Sequence, residues 1–394
     1  MDLRSGLRTL TASLALAAGL MAAAQTDTSS TPQTPAPATP AEPAAAPAPT
    51  PWKIGPMEVS GFLDGFYTYN NNNPTEDANG KMNDYYNFNQ DANQPALSAA
   101  KLTLNHDPGP VGAHVDAIYG RTNRMINGSG QLEYVEQAFM SFKPKSWKGI
   151  EIDGGKFTTF AGAEVIEAKD NWNYSRSLLF AWAIPYWHFG GRASMPVGKA
   201  ETIGVQVVNG WNNIRHPVGG PTIGITSTLV QPKFTWSADV YTGAADTPGQ
   251  VQNGYRNLFD TTMLLTPNAK INAYVNFDFG QQTNKPTSLG FGEKSRDDWY
   301  GVAFAVHDQF AAAHAGTVRY ETFKDSEGYE TGTAQALQEF TGTYEYKWKY
   351  GLLGRTEFRH DWSSEATFHK ANGKMTDQQN TVGIGMILVI APKR

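Results

Sequence analysis

The 394-residue chain contains no cysteine. Disulfide staples and thiol chemistry are therefore excluded. Charged residues make up only 18 % of the sequence and lean acidic, with Lys+Arg 32 against Asp+Glu 37. The basic surface of a nucleic-acid binder is missing, so no nucleic-acid partner is expected. Beyond the N-terminus no apolar run is long enough for a transmembrane helix. The sequence also lacks H-E-x-x-H and G-x-S-x-G, and its eight histidines are scattered. It nominates no catalytic residue, no metal site and no cofactor, and the expectation is that the protein is not an enzyme.

The N-terminus has the composition of an export signal. Arg4 and Arg8 precede an apolar stretch from Leu10 to Leu20, and Ala22-Ala23-Ala24 supplies a small-residue cleavage site. Loss of residues 1–24 removes Arg4, Arg8 and Asp2, which moves the net charge from −5 to −6. Residues 25–56 are rich in Pro and Ala, cannot build a core, and read as a semi-rigid linker. The remainder, 57–394, reads as one domain.

From Glu58 onward the pattern has period two. In Ile271–Phe279, Ile271, Ala273, Val275, Phe277 and Phe279 share one face, while Asn272, Asn276 and Asp278 lie on the other. Such alternation marks strands with one apolar and one polar side. About sixteen segments of this kind follow one another, joined alternately by short turns such as Gln231-Pro232-Lys233 and by long polar connections such as Asn71–Gln94, Gly210–Pro221 and Gly243–Tyr255. Aromatic residues cluster near segment ends, among them Tyr67, Tyr69, Tyr119, Trp187, Trp211, Trp299, Tyr300, Tyr346, Trp348 and Trp362. Short turns on one side, long loops on the other and aromatic girdles predict an all-β fold: a transmembrane antiparallel up-and-down β-barrel in the cell outer membrane. Its apolar wall would face lipid.

The polar faces would then line the lumen. Candidate lumen residues are Asp64, Asp116, Asp239 and Asp278 on earlier strands, and Arg319, Glu321, Arg355, Glu357 and Arg359 on later ones. A barrel of this width leaves an aqueous channel. The alternative is an interior filled by a closed network of ion pairs.

One connection stands apart. Phe160–Trp182 (FAGAEVIEAKDNWNYSRSLLFAW) is too long for a turn and too apolar for a solvated loop. With the N-terminus periplasmic it is the third extracellular loop, and its composition suits folding back into the lumen. Glu164, Glu167, Lys169, Asp170 and Arg176 are its candidate constriction residues. Its acidic members would face the cationic wall of Arg319, Arg355 and Arg359 and set a transverse field.

Other signals are weaker. Gly290–Ser295 (GFGEKS) lacks the glycine before lysine of a phosphate loop. His114 and Asp116 share a strand face as a polar pair. Glu76, Asp77, Asp84 and Asp91 match no calcium-loop spacing and read as solvated surface.

The chain resembles the OmpL-like β-barrel porin family of Gram-negative outer membranes. The resemblance is carried by Ser60–Tyr67 (SGFLDGFY), Glu136–Phe139 (EQAF), Gly155-Lys156-Phe157, Gly162-Ala163-Glu164, Asn171–Ser177 (NWNYSRS) and Pro185–Arg192 (PYWHFGGR). It spans roughly residue 57 to the C-terminus and implies passive passage of small hydrophilic solutes or ions. It also implies outer-membrane lipid around the barrel and leaves a homotrimer open. The ending Val389–Arg394 departs from the aromatic terminus usual in such barrels. A surface adhesion or anchoring barrel that displays its loops without conducting is the alternative function.

Overall fold

The structure is a computed structural model and describes residues 52–75, 80–107, 109–128, 132–217, 219–247, 250–284 and 295–390. The export signal 1–24, linker residues 25–51, Glu76, Asp77, Gly290–Lys294 of the phosphate-loop look-alike and the final four residues lie outside them.

Sixteen strands form the wall: β1 Met57–Asn70, β2 Pro95–His106, β3 Val111–Tyr119, β4 Val135–Phe142, β5 Glu151–Thr158, β6 Trp187–Val197, β7 Glu201–Val208, β8 Thr222–Gln231, β9 Phe234–Thr247, β10 Gln250–Leu265, β11 Ile271–Asn284, β12 Ser295–Ala311, β13 His314–Asp325, β14 Gln335–Lys347, β15 Leu352–Ser363 and β16 Gln378–Ile390. Each pairs antiparallel with its sequence neighbours, and β16 returns to β1 with Val382 opposite Tyr69 and Ile390 opposite Gly61. The sheet is thereby closed and has no free edge. Before β1, Trp52–Ile54 forms a short strand that pairs with Met57–Val59, so the end of the expected linker is a hairpin.

Alternation decides which side each residue takes. Along β1, Leu63, Tyr67 and Tyr69 are exposed while Asp64, Thr68 and Asn70 are buried. On β15, Thr356 and Phe358 face out, and Arg355, Glu357 and Arg359 face in. The molecule is apolar outside and polar inside, the reverse of a soluble domain. Among the described residues no helix is long and apolar enough to cross a membrane.

Three sequence expectations change. The segment Gly243–Tyr255, read as a long loop, continues the β9–β10 ladder out to Thr247 opposite Gln250. Arg121–Asn127 forms a helix, α1, where the composition indicates a loop. Trp187 and Trp299 do not join an interfacial girdle. Both are buried inside, where their indole N–H groups donate to backbone oxygens of Ile126 at 2.8 Å and Ala183 at 3.1 Å. A buried indole needs such an acceptor, and the inner connections supply it.

Candidate functional site

The candidate site is the polar inner face together with the 28-residue connection 159–186 between β5 and β6. This segment is braced on itself first. The Asn171 side chain bonds both backbone groups of Val165, at 2.9 and 2.8 Å. The Arg176 guanidinium donates to the carbonyls of Ile166 and Tyr174 and lies over the Phe88 ring. Gly162 has φ +94°, and a Cβ there would meet Ile184 at 2.6 Å, so this turn favours glycine on two counts.

Wall residues then take hold of the segment's backbone. Glu357 accepts from the N–H groups of Tyr174 at 2.6 Å and Ser175 at 3.0 Å. Glu321 does the same for Leu178 at 2.6 Å and Leu179 at 3.1 Å. Arg355 donates to the carbonyls of Ala168, Asn171 and Asn173, and Arg359 to that of Arg176 at 2.7 Å. The Tyr174 hydroxyl donates to Asp64 at 2.7 Å. Partners thus come from β1 and from β13 to β15, and Lys101 on β2 pairs with Glu167.

The transverse arrangement expected from the sequence forms at one point only. Arg319 meets Glu164 at 2.6 Å, but it also holds Glu339 at 2.7 Å. Arg355 pairs with Glu345 and Arg359 with Asp361, both on the wall itself. Glu167 pairs with Lys101, and Asp170 with Lys169. The physical reason is donor number: a buried guanidinium has five N–H groups to satisfy, and one distant carboxylate cannot take them all.

Every expected lumen residue does face inward, and every one is buried rather than bathed in open water. Arg319 is 1 % exposed and Glu321 0 %. At the level of the 159–186 connection these inner-face charges are paired with one another or bonded to the connection's backbone. Asp239, Asp260 and Asp278 stand directly opposite one another on β9, β10 and β11. His114 lies 3.0 Å from Asp116, as the shared strand face implies.

Residues missed from the sequence complete the site. Lys101 is surrounded by Asp116 at 2.8 Å, Glu136 at 3.1 Å and Glu167. Its polar-face neighbours Thr103 and Asn105 carry the signal that could have found it. Arg192 is held by Asp153 at 2.7 Å and lies over the rings of Phe157, Phe160 and Phe139. A cavity of about 150 Å³ remains between the 159–170 backbone and β4–β6, with Glu136, Glu164, Glu167, Asp170 and Arg192 in its lining. Asp116, Glu136 and Glu167 come close enough to ligate a metal. The Lys101 ammonium already stands among them.

Of the acids read as solvated surface, Asp84 and Asp91 are instead held in the folded connection. Tyr86, Phe88 and Asn87 are buried, and Asn87 donates to Ala181 at 2.6 Å. Asp91 pairs with Arg121 at 2.5 Å, and Asp84 accepts from the backbone and ring nitrogens of His369 at 2.7 Å each.

Comparison with known proteins gives three findings. A family model described as "Putative beta-barrel porin-2, OmpL-like" matches residues 56–390. Solved structures share the fold. The outer membrane channel DcaP of Acinetobacter baumannii has TM-score 0.56 at 11 % identity, covering 86 % of this chain and 99 % of that one. An anion-selective porin from Comamonas acidovorans has TM-score 0.56 at 10 % identity, over 85 % and 99 % of the two chains. OmpT of Vibrio cholerae in its trimer form has TM-score 0.53 at 12 % identity, over 84 % and 98 %. No curated protein sequence matches the chain.

Proposed function

The chain belongs to the OmpL-like β-barrel porin-2 family, with an outer-membrane location and a porin-like sixteen-strand fold, and from that membership we propose a passive channel for small hydrophilic solutes or ions, constricted by residues 160–182. The observation that carries the reading is the bonding of the 159–186 connection to inward-facing groups on β1, β2 and β13–β15. The segment leaves the wall at β5 and β6 and is tethered to β13–β15 about half-way round the ring, so it narrows the space the ring encloses. Constriction falls to Glu164, Glu167, Lys169, Asp170 and Arg176, with Glu321, Glu357, Arg355 and Arg359 as its mountings.

Passage needs no chemistry, in keeping with porin families, which are usually non-enzymatic channels. The assembly we propose is a homotrimer in outer-membrane lipid, as OmpT of Vibrio cholerae has a trimer form. The adhesion reading has less support, because residues of the first long connection pack down on the third instead of standing free.

Planar-bilayer recording tests the proposal. The wild-type chain should give discrete conductance steps, and deletion of residues 162–180 should enlarge them, because a barrel of this strand number leaves an aqueous channel. Inserted, folded protein without steps would sink the porin reading. Equal step sizes with and without the loop would sink the constriction.

A further inference from the structure

An open pocket of about 670 Å³ lies at the end of the barrel that carries the long connections. It is bounded by the start of β2, the end of β3, α1 and the approach to β4. Alternation turns Leu97 and Tyr119 outward on the lipid side of the wall, and both are exposed. Tyr134 stacks on Tyr119 with ring centroids 6.0 Å apart and planes at 22°. Such rings have an apolar body and a polar tip. At a strand end they mark the depth where acyl chains give way to headgroups.

The charges that line this pocket are of both signs, and they are matched only in part. Arg121 is taken by Asp91 at 2.5 Å, and Asp91 also accepts from the Gln94 amide at 3.0 Å. Arg124, exposed on α1, has no ion pair and no side-chain hydrogen bond among the described residues. Glu133 pairs with no base among them, and only the adjacent Tyr134 hydroxyl stands beside it. Arg124 and Glu133 line the same pocket without pairing with each other. A ligand there meets a free guanidinium and a carboxylate without a counter-charge.

We propose that this pocket binds the zwitterionic headgroup of a membrane phospholipid, its phosphate at Arg124, its primary ammonium at Glu133 and its acyl chains along Leu97 and Tyr119. A guanidinium can meet phosphate through two parallel N–H donors, and a carboxylate accepts from an ammonium. The volume is that of a small-molecule site, far more than a lone ion needs. A simple anion would leave Glu133 unmatched. A soluble zwitterion would make no use of the outward Leu97 and the stacked tyrosines. The lipid engages all of them. The inference stands on the outer-membrane location and the outward apolar face, so it goes beyond the porin reading and does not depend on conduction.

Native mass spectrometry of the full chain in detergent tests this, with phosphatidylethanolamine or phosphatidylglycerol added at equal mole ratio. The two lipids share the phosphate and the chains and differ in the ammonium. The wild type should retain phosphatidylethanolamine in preference. Arg124→Gln should lower its occupancy about two- to five-fold, the share of one exposed ion pair. Glu133→Gln should leave phosphatidylglycerol unchanged and erase the preference. Heat-modifiable gel migration shows whether each variant barrel is folded, and the wild-type preference decides without either variant. No lipid adduct, or equal retention of the two lipids by the wild type, overturns the inference. So does phosphatidylethanolamine retention that a folded Arg124→Gln barrel leaves unchanged. Phosphoethanolamine without chains should not compete at the same concentration. Competition as strong as that of the whole lipid would make the occupant a soluble zwitterion and overturn the lipid.

Discussion

A carboxylate in this protein is defined by what stands within reach of it. Glu330 shows this away from the membrane-spanning strands, in the connection 326–334. Its Oε1 is buried without a protein partner among the described residues. Burial pushes its acid from the ordinary 4.5 up to about 7, against the pull of Arg256 and with a further push from Asp325. The folded connection therefore holds a proton that a released one gives up. The stabilising contribution is complete below 4.5 and is lost as pH rises through about 7. Limited proteolysis should cut residues 326–334 faster at about pH 8 than at about pH 5. Glu330→Gln should stay protected at both. An identical pH response in the variant would show that another group titrates.

At the scale of the element, the 159–186 connection is held by paired backbone contacts more than by the charges on its own surface. Glu321 and Glu357 each receive two successive N–H groups. Replacing either by Gln leaves an amide with one acceptor oxygen, so one buried N–H loses its partner at about 1–3 kcal/mol. The double variant Glu321→Gln/Glu357→Gln should keep the barrel and loosen the loop. Single-channel current should then flicker between levels where the wild type is steady. A steady current in the double variant would mean that the ion pairs of Glu164 and Glu167, with the Arg355 and Arg359 bonds to the loop's carbonyls, suffice to hold it. The sequence disclosed part of this element. Alternation located the sixteen strands and placed Glu321 and Glu357 on the inner face, because a period of two is written in neighbouring residues. It could not pair Glu357 with Tyr174, which is 183 positions away. Nor could it read the ladder beyond Gly243, where small and polar residues no longer alternate with apolar ones. The inward turn of Trp187 and Trp299 was hidden for a related reason: an aromatic near a strand end looks alike whether it meets a headgroup or a loop.

The whole molecule joins a closed ring of strands to an interior in which the loop lies over buried charges such as Arg319, Glu321 and Glu357. These two parts make opposite demands. Arg319 is the single guanidinium shared by Glu164 and Glu339, with Glu321 at 3.7 Å, and all four groups are buried. Arg319→Met strands Glu164 and leaves Glu339 only Arg359 at 3.6 Å, in a dry setting, a loss of about 3–5 kcal/mol. Deletion of residues 162–180 removes Glu164 and admits water to the rest, so the desolvation term disappears while the ring of backbone hydrogen bonds stays closed. The single substitution should therefore destabilise the barrel more than removal of the 19 residues. In the deletion background Arg319→Met should cost only about 0–1 kcal/mol, as for a solvated ion pair. Urea midpoints in detergent, followed by heat-modifiable gel migration, compare the three variants directly. If the deletion unfolds first, the loop is a core on which the wall depends. The ring would then be no self-sufficient frame for a constriction, and the dependence between wall and loop would run the other way.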